Sequence, residues 1–141
     1  PAPDRVAPPV PTSAPPAAAA AADRGIPDRS ADEDRLVLEV LQRYRAAYDA
    51  LDAASAHAVW PSVNTAALAR AFNDLSAQQL RFADCGIQVR GVTAQATCHG
   101  TARYVPRVGG REPRVEARTW SFSLRKNGPQ WFIDSARVSA P

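Results

Sequence analysis

Side chains suited to acid–base chemistry are few in this sequence. Those near predicted core positions are two tyrosines, two histidines and two aspartates: Tyr44, Tyr48, His57, His99, Asp49 and Asp134. A general acid–base mechanism needs two such groups in one pocket, within hydrogen-bonding reach of a substrate. Tyr44 and Tyr48 are spaced to share one face of a helix. Their hydroxyls either enter a pocket or bond to backbone groups at the rim of the core, and we prefer the second interpretation.

The other four groups are predicted to lie apart from one another. His57 falls on a short helix without an evident carboxylate partner, and Asp49 falls at the solvated edge of a longer helix. Alternation along the strands places His99 and Asp134 on the polar side of a sheet. The two cysteines and two histidines also fail the spacings of common metal sites, so we expect neither a metal nor another cofactor.

Proline divides the chain into two parts. Eight of the 13 prolines precede Ala31, in a stretch with few large apolar side chains. Such a composition cannot offset the entropy of folding, so we predict that residues 1–31 form a disordered, semi-rigid tether. Residues 32–139 have the length of one domain with a single core. Because the sequence contains no methionine, we expect it to be part of a longer protein.

Charge is unevenly distributed along the chain. From Gln79 onward there are ten basic residues against four acidic ones, although the formal net charge is only +3. Arginine clusters are typical of nucleic-acid or anion binding, but no aromatic RNA-binding pattern, helix-turn-helix signature or zinc spacing accompanies them. We therefore expect a solvated sheet surface and no nucleic-acid partner. No stretch reaches the ~20 apolar residues of a membrane span, so any membrane anchor is expected upstream.

Helical periodicity opens the predicted domain. Ser30 and Glu33 form a capping box, which predicts that a helix begins there. Apolar residues then recur at helical spacing over about five turns: Leu36, Val37, Val40, Leu41, Tyr44, Ala47, Tyr48 and Leu51.

Two shorter helices are predicted to follow. Asp52 caps the first of them, which ends at Trp60 because Pro61 cannot continue a helix. Either Ser62 or Asn64 caps the next one. Its inward residues are expected to be Leu68, Ala71, Phe72 and Leu75.

After Leu75 the apolar spacing changes from helical to alternating, which predicts strands. The alternation changes phase near Ala83 and Asp84, as it does at a β-bulge. Gly91 suits the first central position of a two-residue type II′ turn. With that turn, apolar residues face apolar ones and polar or small residues face each other, in the pairs Val89–Ala94, Ile87–Ala96, Cys85–Cys98, Arg90–Thr93, Gln88–Gln95 and Gly86–Thr97.

A second hairpin is predicted towards the end of the chain. The preceding strand reaches Val105, a loop follows at 106–113, and strands at 116–126 and 130–138 are joined by a turn at Asn127-Gly128. Trp120, Phe122 and Leu124 share one face of the first of these strands. Helices followed by an antiparallel meander predict an α+β domain, with the first helix covering one face of the sheet.

The hairpin register places the two cysteines opposite each other. Cys85 and Cys98 are therefore predicted to form a cross-strand disulfide. The alternative is a pair of reduced cysteines packed as small hydrophobic residues. A disulfide is typical of an oxidising compartment, so we expect an extracytoplasmic domain, with a cytoplasmic one as the alternative.

The folded part of the chain resembles the nuclear transport factor two-like superfamily, also called SnoaL-like or ketosteroid-isomerase-like. The resemblance spans Asp32 to Val138 and rests on RYRAAYDALDA, VWP, LARAF, CGIQV, ATCHG, WSFSL and WFI. It implies N-terminal helices packed in a curved antiparallel sheet, a cystatin-like cone. The sequence is especially similar to domains that follow Pro/Ala-rich tethers in bacterial multidomain proteins such as serine/threonine kinases. Enzymes of this superfamily keep an Asp or His base, and often a Tyr donor, inside the cone.

Because no acid–base pair is predicted to converge, we expect a non-catalytic module for ligand binding, sensing or dimerisation. The candidate pocket residues are aromatic: Tyr44, Tyr48, Trp60, Trp120 and Phe122. The expected partner is a small molecule or a second copy, which would pair through the sheet face bearing Thr119, Ser121 and Ser123. The alternative is an isomerase or cyclase that uses Tyr48 with a carboxylate.

Overall fold

A computed structural model describes the backbone of residues 25–140 and the side chains of residues 31–140. Most of the predicted tether, residues 1–24, lies outside the described residues. The chain divides into one unit that ends at Glu33 and a second that runs from Asp34 to Pro141. The predicted domain boundary, between residues 31 and 32, falls two residues before this division, and the disorder of the tether stays a prediction.

In the described part of the chain, three helices precede the sheet: α1 (Gly25–Asp49), α2 (Ala53–Val59) and α3 (Thr65–Asn73). The predicted start of α1 is wrong, because Ser30 lies inside the helix and cannot be its N-cap. The early start is compatible with Pro27, since a proline in the first helical turn removes an N–H group that has no intrahelical partner. The predicted apolar stripe of α1 is confirmed as far as Tyr48, with Val37, Leu41 and Tyr44 fully buried. Its last predicted member, Leu51, lies beyond the end of the helix with a φ of 55°.

The caps of the two short helices follow the sequence. The Asp52 carboxylate accepts hydrogen bonds from the backbone amides of Ala54 and Ser55 at 3.1 and 3.3 Å. Asn64 caps α3 by accepting from the amide of Ala67 at 3.0 Å, so the Ser62 alternative is wrong.

The inward face of α3 is narrower than predicted. Phe72 is buried and Leu68 is half-buried, but Ala71 is exposed. Leu75 lies beyond the end of the helix, in the first strand. Successive helical residues are about 100° apart, so a residue next to the single buried position of a short helix lies at the edge of its apolar stripe.

The sheet is a four-stranded antiparallel meander in the order β1-β2-β3-β4. Its strands are β1 (Leu75–Arg90), β2 (Thr93–Pro106), β3 (Arg114–Asn127) and β4 (Gln130–Ser139). The helices pack against one face of this curved sheet, and buried residues of α1 and of all four strands form one core. We call the helix-facing side the inner face. The predicted α+β fold class is confirmed.

The β1–β2 hairpin has the predicted register at every predicted pair, including Val89–Ala94 and Cys85–Cys98. Gly91 has a φ of 61°, as the first central position of a type II′ turn requires. The pairing shifts between Phe82 and Asp84, which confirms the predicted bulge. The extra residue returns Cys85 and the following apolar residues to the inner face, where they pack against the core.

Cys85 and Cys98 form the predicted disulfide, with their Cα atoms 4.0 Å apart. The bond links β1 and β2 immediately after the bulge. The reduced alternative is therefore wrong for this structure. Among the helices of the described region, none is both long and apolar enough to cross a membrane.

Candidate ligand-binding cavity

A cavity of about 310 Å³ lies between α1 and the inner face of the sheet. Five of its lining side chains are aromatic, five are aliphatic and two are polar or charged: Tyr44, Tyr48, Trp60, Tyr104, Trp120, Leu75, Leu80, Ala102, Ala136, Val138, Gln78 and Arg118. Such a lining is typical of sites for small organic molecules, which combine apolar walls with a few polar groups.

Tyr44 and Tyr48 form one wall from adjacent turns of α1, because residues four apart lie on the same helix face. Their ring centroids are 4.3 Å apart. Burial raises the pKa of Tyr44 well above its ordinary value, and the charge and hydrogen bond of Tyr48 raise it further. Burial also raises the pKa of Tyr48, while a side-chain hydrogen bond with Tyr44 lowers it in part. Both hydroxyls are therefore protonated at neutral pH and act as hydrogen-bonding groups rather than as bases.

Trp60 lies where α2 ends, with its backbone amide bonded to the carbonyl of Ala56 at 2.9 Å. Its ring lines the cavity beside Tyr44, at a centroid distance of 6.4 Å. The indole Nε1 is buried and has no hydrogen-bond partner within residues 31–140. A buried donor without a partner costs about 1–3 kcal/mol, so this N–H is a locally destabilising feature of the residue that lines the cavity.

An ion pair between Arg118 and Glu116 lies at the sheet end of the cavity, which we call its mouth. In the β2–β3 register, Glu116 lies opposite Ala102 and Arg118 lies opposite Gly100, so both charged residues share the inner face with Trp120. Arg118 Nη2 donates to Glu116 Oε1. The hydroxyl of Tyr104 donates to Glu116 Oε2 at 3.0 Å. The Arg118 and Glu116 side chains are 32% and 43% exposed, which places the pair at the mouth of the cavity.

Sequence reasoning found the aromatic part of this site but missed its charged part. Of the five candidate pocket residues, Tyr44, Tyr48, Trp60 and Trp120 line the cavity. Phe122 does not line the cavity. It is fully buried in the core, where its ring and that of Tyr44 pack edge to face at a centroid distance of 5.0 Å. The alternation of β3 contained the missing signal, because Arg118 and Glu116 have the same parity as Trp120 and Phe122.

The other acid–base candidates do not converge on the cavity. His57 is exposed on α2. Asp134 is also exposed, and its Oδ2 lies 3.4 Å from Arg125 Nη2. His99 lies on the outer face, where its Nδ1 is 2.9 Å from Asp84 Oδ1. These placements confirm the predicted separation.

The prediction for Asp49 is wrong. This residue is half-buried rather than solvated, and its Oδ1 accepts a hydrogen bond from the backbone amide of Leu80 at 2.7 Å. The side chain thereby joins the end of α1 to β1. Within residues 31–140, no group of three or more His, Cys, Asp or Glu side chains has the arrangement of a metal site.

Neither a protein-family model nor a curated protein matches this sequence. Solved structures do match, at low identity. A nuclear transport factor two-like superfamily protein from Salmonella enterica has a TM-score of 0.71 and 17% identity, over 79% of this chain and 93% of that chain. A candidate dehydratase of that family from Streptomyces avermitilis has a TM-score of 0.69 and 13% identity, over 78% and 97%.

A further similar structure is that of a nuclear transport factor two-like protein described as having a cystatin-like fold. This protein, from Novosphingobium aromaticivorans, has a TM-score of 0.65 and 14% identity, over 84% of this chain and 88% of that chain. This chain has the nuclear transport factor two-like fold, as its sequence resemblance implies. The similarity to domains appended to kinases stays a prediction.

Proposed function

We propose that this domain is a binding module that holds a small, mainly apolar molecule in the cavity and does not transform it. The observation that carries the proposal is the lining, in which Arg118 and Gln78 are, among residues 31–140, the only side chains that are neither aromatic nor aliphatic. The cavity volume of about 310 Å³ is at the small end of the range for small-molecule sites. A flat molecule with one or two rings is the expected size of ligand.

The polar groups of the cavity favour binding over catalysis. A general base needs a pKa near the working pH, whereas burial raises the pKa of both Tyr44 and Tyr48 above the ordinary 10.0. The carboxylate of Glu116 is engaged by Arg118 and Tyr104. Both oxygens of this carboxylate therefore already have hydrogen-bond donors from the protein.

The alternative function is an isomerase or cyclase that uses Tyr48 with a carboxylate. It is favoured by one comparison, since the similar Streptomyces avermitilis protein is a candidate dehydratase. Turnover of a panel of ketones and hydroxylated polyketide-like compounds distinguishes the two functions. Turnover by the parent domain that disappears in folded Tyr48→Phe would contradict the binding proposal.

Binding itself is tested with a neutral aromatic probe and a cavity-filling variant. We expect 2-naphthamide to bind the parent domain and to raise its melting temperature. Ala136→Phe places a ring in the cavity, because Ala136 lines it, and should abolish this binding. Ala117→Phe is the matched control, because Ala117 is an exposed neighbour of Arg118 on the outer face. Equal binding by both variants would place the probe elsewhere and contradict the proposal.

We further propose that the domain is part of a larger, extracytoplasmic bacterial protein, similar to the kinases with appended domains of this type. The disulfide between Cys85 and Cys98 supports an oxidising compartment. Self-association through the outer face is also part of this proposal, because Ser121 is exposed at its centre, between Thr97 and Arg137. Ser121→Arg should then convert a dimer to a monomer in light scattering.

A further inference from the structure

The mouth of the cavity contains two donors that already hold a carboxylate. Arg118 Nη2 donates to one oxygen of Glu116, and the Tyr104 hydroxyl donates to the other oxygen at 3.0 Å. Both donors line the cavity, whereas Glu116 is not among the lining residues. The contacts of Glu116 thus show that these two donors can bind a planar carboxylate, with one carboxylate oxygen bonded to each donor.

The charge around this mouth also favours an anion. Residues 103–118 include five arginines and two glutamates. Arg114 lies directly opposite Tyr104 in the β2–β3 register. Arg107 donates to the backbone carbonyl of Leu75, a lining residue, at 3.5 Å. Positive charge therefore exceeds negative charge along the strands and loop that border the cavity, and this raises the local concentration of anions.

We propose that the ligand of this domain is an amphipathic carboxylate, whose acid group is bound by Arg118 and Tyr104 in place of Glu116. This inference rests on the proposed function, because it assumes that the apolar part of the ligand occupies the cavity. That part packs against Trp120, Tyr48 and Val138. In the free domain, Glu116 accepts the hydrogen bond of the Arg118 guanidinium and so competes with the carboxylate of the ligand. In the complex, the half-exposed Glu116 side chain turns to solvent.

The half-exposed state of the ion pair makes this exchange feasible. Arg118 and Glu116 are 32% and 43% exposed, and ion pairs in contact with water contribute little to stability. A ligand carboxylate that also buries an aromatic body gains apolar contacts that Glu116 does not make. The carboxylate should therefore displace Glu116 when it arrives attached to a body that fits the cavity.

The test uses pairs of probes that differ only in charge. Each pair is an aromatic acid and its primary amide with one, two or three rings, such as 2-naphthoic acid and 2-naphthamide. Affinities are measured by calorimetry at pH 7.5, where the acids are ionised and the shapes are matched. We expect the best-fitting acid to bind at least about tenfold more tightly than its amide, as a charge-assisted hydrogen bond implies.

Four variants assign this preference to residues. Arg118→Gln should remove the preference for the acid, and Tyr104→Phe should reduce it several-fold. Glu116→Gln removes the competing charge and should tighten acid binding several-fold, with little change for the amide. Arg125→Gln is the matched control, because Arg125 is on the same strand and has a carboxylate neighbour, Asp134, but lies 67% exposed. It should behave like the parent domain.

The possible outcomes separate this inference from the proposed function. Equal affinity for acid and amide would overturn the carboxylate assignment and leave the binding function intact. Binding of neither probe in any pair would overturn both. A preference that survives Arg118→Gln, or weaker acid binding by Glu116→Gln, would overturn the roles given to these residues. Circular dichroism and melting curves establish that each variant is folded, and Tyr104→Phe retains the test if Arg118→Gln does not fold.

Discussion

Gly100 of β2 lies against the backbone of Arg81 in β1, so closely that a Cβ atom at Gly100 would be 1.8 Å from the Arg81 carbonyl oxygen. This contact is next to the bulge, where Phe82 is paired with Gly100 and Asp84 with His99. Glycine is required here because the obstructing atom belongs to the backbone and cannot rotate away. The two strands can therefore approach at the bulge only if residue 100 has no side chain.

The first prediction concerns this contact. Gly100→Ala should destabilise the domain by more than about 2 kcal/mol, since the backbone must shift to admit the methyl group. Gly86→Ala is the matched control in the same hairpin, because a Cβ there meets nothing within 4 Å. Urea denaturation of the two variants measures the difference. A similar loss of stability in both would show that the close approach does not matter.

The second prediction concerns the disulfide. Cys85 and Cys98 close a loop with a sequence separation of 13, so reduction should lower the free energy of unfolding by about 3 kcal/mol in the chain-entropy treatment. Denaturation with and without reductant measures this change. Alkylation of the denatured, unreduced protein followed by intact-mass analysis should add no labels. Two labels would contradict the bond.

The third prediction concerns alkaline pH. Burial raises the pKa of Tyr44 well above the ordinary 10.0, so the folded state holds this proton more tightly than the unfolded state. The resulting stability is complete below pH 10 and is lost as the pH rises towards the folded-state pKa. We expect the urea midpoint to be steady from pH 7 to about 9 and to fall above about 10. The urea midpoint of Tyr44→Phe should fall less steeply over the same pH range. Identical curves of midpoint against pH for the parent and the variant would contradict the assignment of this effect to Tyr44.

The parts of the fold that could be predicted from the sequence are those with redundant local signals. In the β1–β2 hairpin, the turn at Gly91 and the alternation on both strands specify one register, so Cys85 and Cys98 could be paired correctly. The start of α1 could not be placed, because the capping box at Ser30 is a strong local signal for a helix start. Pro27, in addition, makes the preceding turn look non-helical in the sequence. Local signals of this kind compete, and only tertiary structure decides between them.

The candidate site was less accessible to sequence reasoning because its polar contacts join distant segments. The Gln78 side-chain amide donates to the backbone carbonyl of Tyr48 across 30 residues, and no local pattern marks either partner. Arg118 and Glu116 have the parity of the inner face, but charged residues on a strand are ordinarily solvated. Their position at the mouth becomes apparent only once β2 places Tyr104 beside them.

The central claim is that a small molecule occupies the cavity beside Trp60 and Trp120, and the indole N–H signals of the domain test it most directly. The chain has three tryptophans, of which Trp131 does not line this cavity. In ¹H–¹⁵N spectra, assigned with single Trp→Phe variants, we predict that 2-naphthoate shifts the indole signals of Trp60 and Trp120 and leaves that of Trp131 in place. Shifts confined to Trp131, or no shift at saturating probe, would contradict the account.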